Sequence, residues 1–184
     1  MAGRTHSRPP IHKRVAVATH GTQSPHRIIL HCTESVNRPG MSDVLAIPNF
    51  WKNQGQGYGT QLVIDGEGNT CQCAIDTRIC WGCGGSNTGS LQIEIIGSSS
   101  LSAAQWAAQI KGLKQAAKWC AYWCETYKIP IALSVNNGIA THGMHSAAFH
   151  KTDHTDPGKN FPLAQFMRNV RYYHAHGWFP APNA

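Results

Sequence analysis

From Ser102 to Tyr127 the residues Trp106, Ile110, Leu113, Ala117, Cys120 and Cys124 recur at alternating steps of four and three, which aligns them on one face of an α-helix. A helix this long with a single apolar stripe must lay that stripe against an apolar surface. Ser102, with Gln105 three positions on, forms a capping box that marks its start. The partner surface comes from short apolar or β-branched runs bounded by Gly, Asn or Pro, at residues 27–33, 60–65, 90–96 and 129–134. Each has the length of a buried strand. Further helices are expected over residues 162–175, opened by Pro162 with Phe166, Val170 and Tyr173 on one face, and over residues 42–51, where Pro48 weakens the pattern. The fold class that follows is α/β, a mixed central β-sheet flanked by α-helices.

The chain has 184 residues, 41% of them apolar and only 14% charged, which fits one globular domain with a sizeable core. Residues 1–24 hold Arg4, Arg8, Lys13 and Arg14 around Pro9 and Pro10 without helix or strand period, and are expected to form a basic, flexible N-terminal arm ahead of a domain spanning residues 25–184. The net charge of +7 favours acidic partners, either nucleic acid or an anionic cell envelope. No aromatic residues interleave with these charges and no helix carries a basic stripe, which argues against nucleic acid. Val15-Ala16-Val17-Ala18 is far too short for a signal peptide or a membrane span, so the expectation is synthesis in a cytoplasm and no stable membrane association. A monomer is expected.

Seven cysteines are an odd number, which fits a reducing compartment better than a disulfide framework. Cys71, Cys73, Cys80 and Cys83 combine C-x-C with C-x-x-C and leave three readings open: free thiols, a disulfide or a structural zinc. Cys120 and Cys124 lie on the helix stripe as small hydrophobes. Alternation along the strand points Cys32 away from its neighbour His31.

Of eleven histidines, two stand just beyond apolar, strand-like runs: His31 after Ile28-Ile29-Leu30, and His142 after Gly138-Ile139-Ala140-Thr141. Asp156 sits on a turn fixed by Pro157 and Gly158. Two imidazoles and one carboxylate form the ligand set of a catalytic zinc site, which keeps a position open, whereas a structural site is closed by four ligands. His145 is the alternative second histidine. Glu94 is an acidic residue in a strand otherwise built for burial, where a carboxylate is costly unless paired or functional.

In this order these residues resemble the zinc-dependent N-acetylmuramoyl-L-alanine amidase family, which includes the peptidoglycan recognition proteins and many phage lysins. The resemblance covers residues 27–171. Gly57-Tyr58-Gly59-Thr60-Gln61-Leu62-Val63-Ile64-Asp65-Gly66 looks like the family's second strand, Trp81 through Asn87 like its substrate-side loop, and Ser90-Leu91-Gln92-Ile93-Glu94 like the strand bearing its acidic residue. The stretch from His154 to Pro162 looks most like lysins of phages infecting actinobacteria. The resemblance implies an amidase/peptidoglycan recognition protein-like fold, zinc on His31, His142 and Asp156, and Trp81 and Asn87 against the substrate. It also implies that Glu94 orients or deprotonates the attacking water. His154 lies where the recycling amidases carry lysine, which implies a cation supporting the oxyanion, although an imidazole loses its charge near neutral pH.

The function implied is that of an endolysin, which hydrolyses the amide between N-acetylmuramic acid and L-alanine of the stem peptide with zinc-activated water. Its partner is cell-wall peptidoglycan, reached after another protein permeabilises the membrane. The alternatives are a non-catalytic peptidoglycan-binding module and a cytoplasmic muropeptide-recycling amidase. One departure is the run Trp81-Gly82-Cys83, where the family usually has a histidine after the tryptophan.

Overall fold

The structure is a computed structural model that describes residues 7–35 and 40–177. In chain order its elements are β1 (Lys13–Arg14), β2 (Arg27–Cys32), α1 (Met41–Gln54), β3 (Leu62–Ile64), β4 (Thr70–Gln72), β5 (Ser90–Ile95), α2 (Ala103–Ala108), α3 (Ile110–Tyr127), β6 (Ile139–Thr141), α4 (His142–Phe149) and α5 (Leu163–His176). The strands form one mixed sheet in the order β1-β4-β3-β5-β2-β6, parallel throughout except between β3 and β4. This is the α/β architecture expected from the sequence.

Both central strands are buried along nearly their whole length, so each of their two faces meets a different layer. Ile28, Leu30 and Cys32 of β2 and Leu91, Ile93 and Ile95 of β5 join the main core with α2, α3 and α5. Strand alternation turns His31, Gln92 and Glu94 to the opposite face, where Val63 packs with Val44 of α1 and with Cys71 and Cys73. The apolar side of the sheet holds the molecule together, and the other side is free to carry polar groups.

The long helical pattern is realised as two helices. The capping box at Ser102 and Gln105 forms, but the chain breaks at Gln109 (φ −95°, ψ 24°) before α3 continues. α5 buries Phe166, Val170 and Tyr173 as expected, with Met167 beside them.

Two further expectations need correction. Residues 129–134 are not a strand. Leu133 makes only an isolated bridge to Ile139, Pro130 can donate no ladder bond, and the place beside β2 is taken by β6. β4 is too short and polar, and α4 too rich in histidine and glycine, to show a period. Finally, residues 7–24 do not behave as a free arm. β1 pairs with β4, and backbone N–H groups of His12, Val15, Val17, His20 and Gln23 donate to carbonyls of Thr70, Gln72, Cys73, Ile79 and Thr77. Arg8 faces Asp76 at 3.6 Å and lies over the Trp119 ring. An edge strand needs no apolar period when its backbone supplies the pairing. Arg4 lies outside the described residues.

Candidate active site

His31 is the penultimate residue of β2, and parallel pairing places Glu94 of β5 directly beside it on the same face. His142 is the first residue of α4, whose N-cap Thr141 accepts a hydrogen bond from Met144 N–H through its Oγ1. Asp156 is tied to both: Gly143 N–H donates to its backbone carbonyl (3.0 Å) and Cys32 N–H to its Oδ2 (3.3 Å). Two glycines permit the close approach of the Asp156 turn. A Cβ on Gly143 would lie 3.0 Å from the Thr155 carbonyl oxygen, and one on Gly158, at φ +89°, would overlap Ser99.

The three side chains converge. His31 Nδ1 and His142 Nδ1 are 3.1 Å apart, His142 Nδ1 is 3.1 Å from Asp156 Oδ1, and His31 Nδ1 is 3.3 Å from Asp156 Oδ2. A tetrahedral zinc ion with bonds of about 2.0–2.1 Å separates its ligand atoms by about 3.3 Å, so these spacings suit one. Among the described residues this is the group of histidine, cysteine and acidic side chains able to hold a metal ion.

The protonation pattern agrees. The Gln92 amide is oriented by its Nε2 donating to the Cys80 carbonyl (3.0 Å), so its Oε1 must accept from His31 Nε2–H (3.0 Å). That assigns the proton of neutral His31 to Nε2 and leaves a lone pair on Nδ1, facing His142 Nδ1 and the Asp156 carboxylate. Burial holds the His31 pKa below 6.5, which keeps the ring neutral. His142 Nε2 meets Thr152 Oγ1 at 3.1 Å, and Thr152 in turn meets Ser146 Oγ at 2.6 Å. Burial pushes the Asp156 carboxyl up, but the imidazoles of His142 and His31 outweigh it and hold the pKa well below 3.8. Asp156 Oδ1 is buried without a hydrogen-bond partner. A buried carboxylate oxygen and an imidazole lone pair directed at one point fit a cation.

Glu94 lies beside this group. Burial raises its proton affinity well above the ordinary 4.5, and the carboxylates of Asp156 and Glu34 add to the rise. His154 stacks on His142 with ring centroids 4.5 Å apart and is 59% exposed, its Nδ1 3.6 Å from Asp156 Oδ1. Glu94, His142 and His154 stand where two lobes of a cleft meet, of about 600 and 330 Å³. Tyr58, Trp81 and Asn87 line the larger lobe, Cys32, Thr33 and Glu34 the smaller, and Phe50 and Trp51 both.

His145, the alternative second ligand, is one helical turn beyond His142 and outside the converging group. It is buried with both ring nitrogens unpartnered, and its pKa is pushed down to about 4 by burial, then by Arg27, His31 and His142. Cys71, Cys73, Cys80 and Cys83 are all buried free thiols, in keeping with the first of the three readings. Trp81 lies at the cleft rim, but Asn87 does structural work there, its Oδ1 accepting from the N–H groups of Gly82 (3.1 Å) and Cys83 (2.7 Å). The missing histidine after Trp81 has a spatial reason. A Cβ on Gly82 would come within 2.5 Å of Gln92 Oε1, so the glycine makes room for the amide that holds His31. Sequence reasoning missed Gln92, although a second polar residue two positions before Glu94 shares its strand face. Thr152 carries no local signal, because only the folded 150–154 loop brings it to His142.

No curated protein matches the chain significantly in sequence. Solved structures that share the fold include the Staphylococcus aureus hydrolase AmiA in complex with its ligand (TM-score 0.69, 18% identity, 95% of this chain and 89% of that one), a mutant of PlyL (0.64, 19%, 88% and 98%), and the endolysin N-acetylmuramoyl-L-alanine amidase LysCS from Clostridium intestinale (0.60, 17%, 90% and 98%). At these identities the likeness concerns the fold. A family profile described as N-acetylmuramoyl-L-alanine amidase matches residues 21–159, which include His31, Glu94, His142, His154 and Asp156. The chain belongs to the N-acetylmuramoyl-L-alanine amidase family.

Proposed function

We propose that this protein is a zinc-dependent peptidoglycan amidase that hydrolyses the bond between the lactyl group of N-acetylmuramic acid and L-alanine of the stem peptide. The observation that carries this reading is the convergence of His31 Nδ1, His142 Nδ1 and Asp156 within 3.1–3.3 Å of one another at the junction of the cleft, beside a buried glutamate. Those three residues would hold the metal. A bound zinc ion supplies Lewis acidity, polarising a carbonyl and making water more acidic.

The chain's own residues supply the rest. Glu94, with its raised proton affinity, accepts a proton from the attacking water as the new C–O bond forms. It returns that proton to the nitrogen as the C–N bond breaks, leaving a lactyl carboxylate and a free L-alanine amine. His154, over the His142 ring and exposed to the cleft, donates a hydrogen bond to the carbonyl oxygen as negative charge develops there. Gln92 and Thr152 keep the two ligand rings in place. A binding module without catalysis is disfavoured, since a full ligand set and a base are both present.

We place the enzyme as an endolysin of the kind found in phages of actinobacteria, on the strength of the His154 to Pro162 stretch. It acts as a monomer on cell-wall peptidoglycan after the membrane is permeabilised, without a nucleic-acid partner. Among the described residues no helix is long and apolar enough to cross a membrane. Metal analysis combined with mass spectrometry of digested sacculi tests the reading. One zinc per chain and new L-alanine amino termini on intact glycan strands are expected. Cleavage of soluble muropeptides alone points to a recycling amidase, and binding without cleavage to a recognition module.

A further inference from the structure

Behind one wall of the larger lobe lies a segment that the family profile does not reach. His20, one residue before the matched segment, lies flat against Trp81, with ring centroids 3.4 Å apart and planes 8° from parallel. Its Nε2–H donates to the Gly57 carbonyl at 2.8 Å. The backbone beneath is fixed as well, because His20 N–H donates to Ile79 C=O (2.9 Å) and Ile79 N–H to Gly21 C=O (3.1 Å). Gly57, at φ +77°, is where the ring fits, since a Cβ there would lie 2.9 Å from His20 Cε1. Nearby, a Cβ on Gly59 would lie 2.6 Å from Val17 Cγ2, so the segment around residues 17–20 is packed into the 57–59 strip. That strip bridges to the tryptophan through the Tyr58–Trp81 pair and the bond from Gly59 N–H to Trp81 C=O.

Trp81 is nevertheless 45% exposed and lines the cleft. One ring face is covered by His20, which leaves the rest of the indole to the cleft. An indole on a loop containing Gly82, Gly84 and Gly85 would otherwise sample several rotamers. Backed by a stacked ring that is itself anchored to Gly57, it is held in one plane before anything binds, and a preorganised ring binds more tightly.

We propose that the N-terminal segment backs the substrate cleft and that His20 is a positioning residue, which fixes the Trp81 indole as a stacking surface for the ring or apolar face of an N-acetylmuramoyl-peptide. The ligand class rests on the amidase reading above, whereas the positioning of Trp81 does not. Because His20 acts through Trp81 and is not among the metal-binding residues, it governs substrate affinity and leaves the chemical step alone.

The test uses the full chain with a soluble N-acetylmuramoyl-peptide as probe. His20→Ala should raise KM about fivefold, the scale of one aromatic pair, with kcat within twofold of wild type. His20→Phe keeps a ring against Trp81 and should recover most of the loss. Combined with Trp81→Ala, His20→Ala should add nothing further. Independently of turnover, acrylamide quenching of the Trp81 fluorescence, obtained as the difference from a Trp81→Phe protein, should increase in His20→Ala and not in His20→Phe. An unchanged KM and unchanged quenching in His20→Ala overturn the inference, as does additivity in the double variant. A wild-type protein that fails to cleave the probe, while His20→Ala still raises Trp81 quenching, overturns the amidase reading and leaves the positioning role standing.

Discussion

Glu94 and Gln92 share one strand face, and under the proposed function they divide two tasks, proton transfer and ligand orientation. Glu94→Gln keeps the shape of the side chain and removes the base. Zinc content should stay at one per chain while turnover falls by at least ~100-fold, and near-wild-type turnover would return Glu94 to a structural role. His154→Ala should likewise leave the metal in place while lowering kcat by about 100-fold, the scale of one oxyanion donor. Loss of zinc in that variant would make His154 a ligand. Gln92→Leu acts differently, because it removes the acceptor that fixes the His31 tautomer. Zinc affinity, measured by competition with a chromophoric chelator, should weaken by about 10–100-fold. Nitrogen NMR of the metal-free protein should show His31 losing its defined Nε2–H form, and unaltered affinity and tautomer would dismiss the role. The candidate ligands and Glu94 were legible because His31, His142 and Glu94 interrupt or follow apolar runs and Asp156 opens a Pro-Gly turn. His20 and Thr152 were not, since their partners lie 61 and 10 positions away and only folding brings them together.

At the scale of elements, the long amphipathic stripe was legible and its break was not. The capping box and the fours and threes specify a helix and its apolar face, yet α3 must also meet the turn between β3 and β4. There Gly112 N–H donates to the Gly66 carbonyl (3.0 Å), and a Cβ on Gly112 would overlap the Asp65 carbonyl oxygen. This glycine, unfavourable inside a helix on propensity alone, is present because backbone approaches backbone. Gly112→Ala should therefore destabilise the protein by about 1–3 kcal/mol in urea unfolding, although alanine is the better helix former. A variant as stable as wild type or more so would show that α3 can shift away from the turn. Residues 129–134 failed as a strand for a related reason. Periodicity reports burial, whereas strand identity depends on which segment lies next to β2, and β6 does so while also delivering His142.

For the molecule as a whole, a sheet buried on both sides explains why the fold class could be read from composition and period while the sheet order and the cleft wall could not. Long-range placement also buries His145 near His31 and His142, with both ring nitrogens unpartnered. Its pKa is lowered from 6.5 to about 4, chiefly by burial and then by Arg27, His31 and His142. Since folding favours the neutral ring, the unfolded chain binds more protons between these two values. The contribution of His145 to stability is thus fully present above about pH 6.5, is lost as pH falls toward 4, and changes no further below that. His145→Leu fills similar space without a titrating group. Subtracting its unfolding free energy from that of the wild type, both measured without metal between pH 4 and 7.5, isolates this proton from other acid-labile groups. The difference should shift in favour of the leucine variant as pH falls, with a slope of up to about 1.4 kcal/mol per pH unit, and level off near neutrality. A difference that is flat across the range would mean that His145 is hydrated and titrates as it does in the unfolded chain.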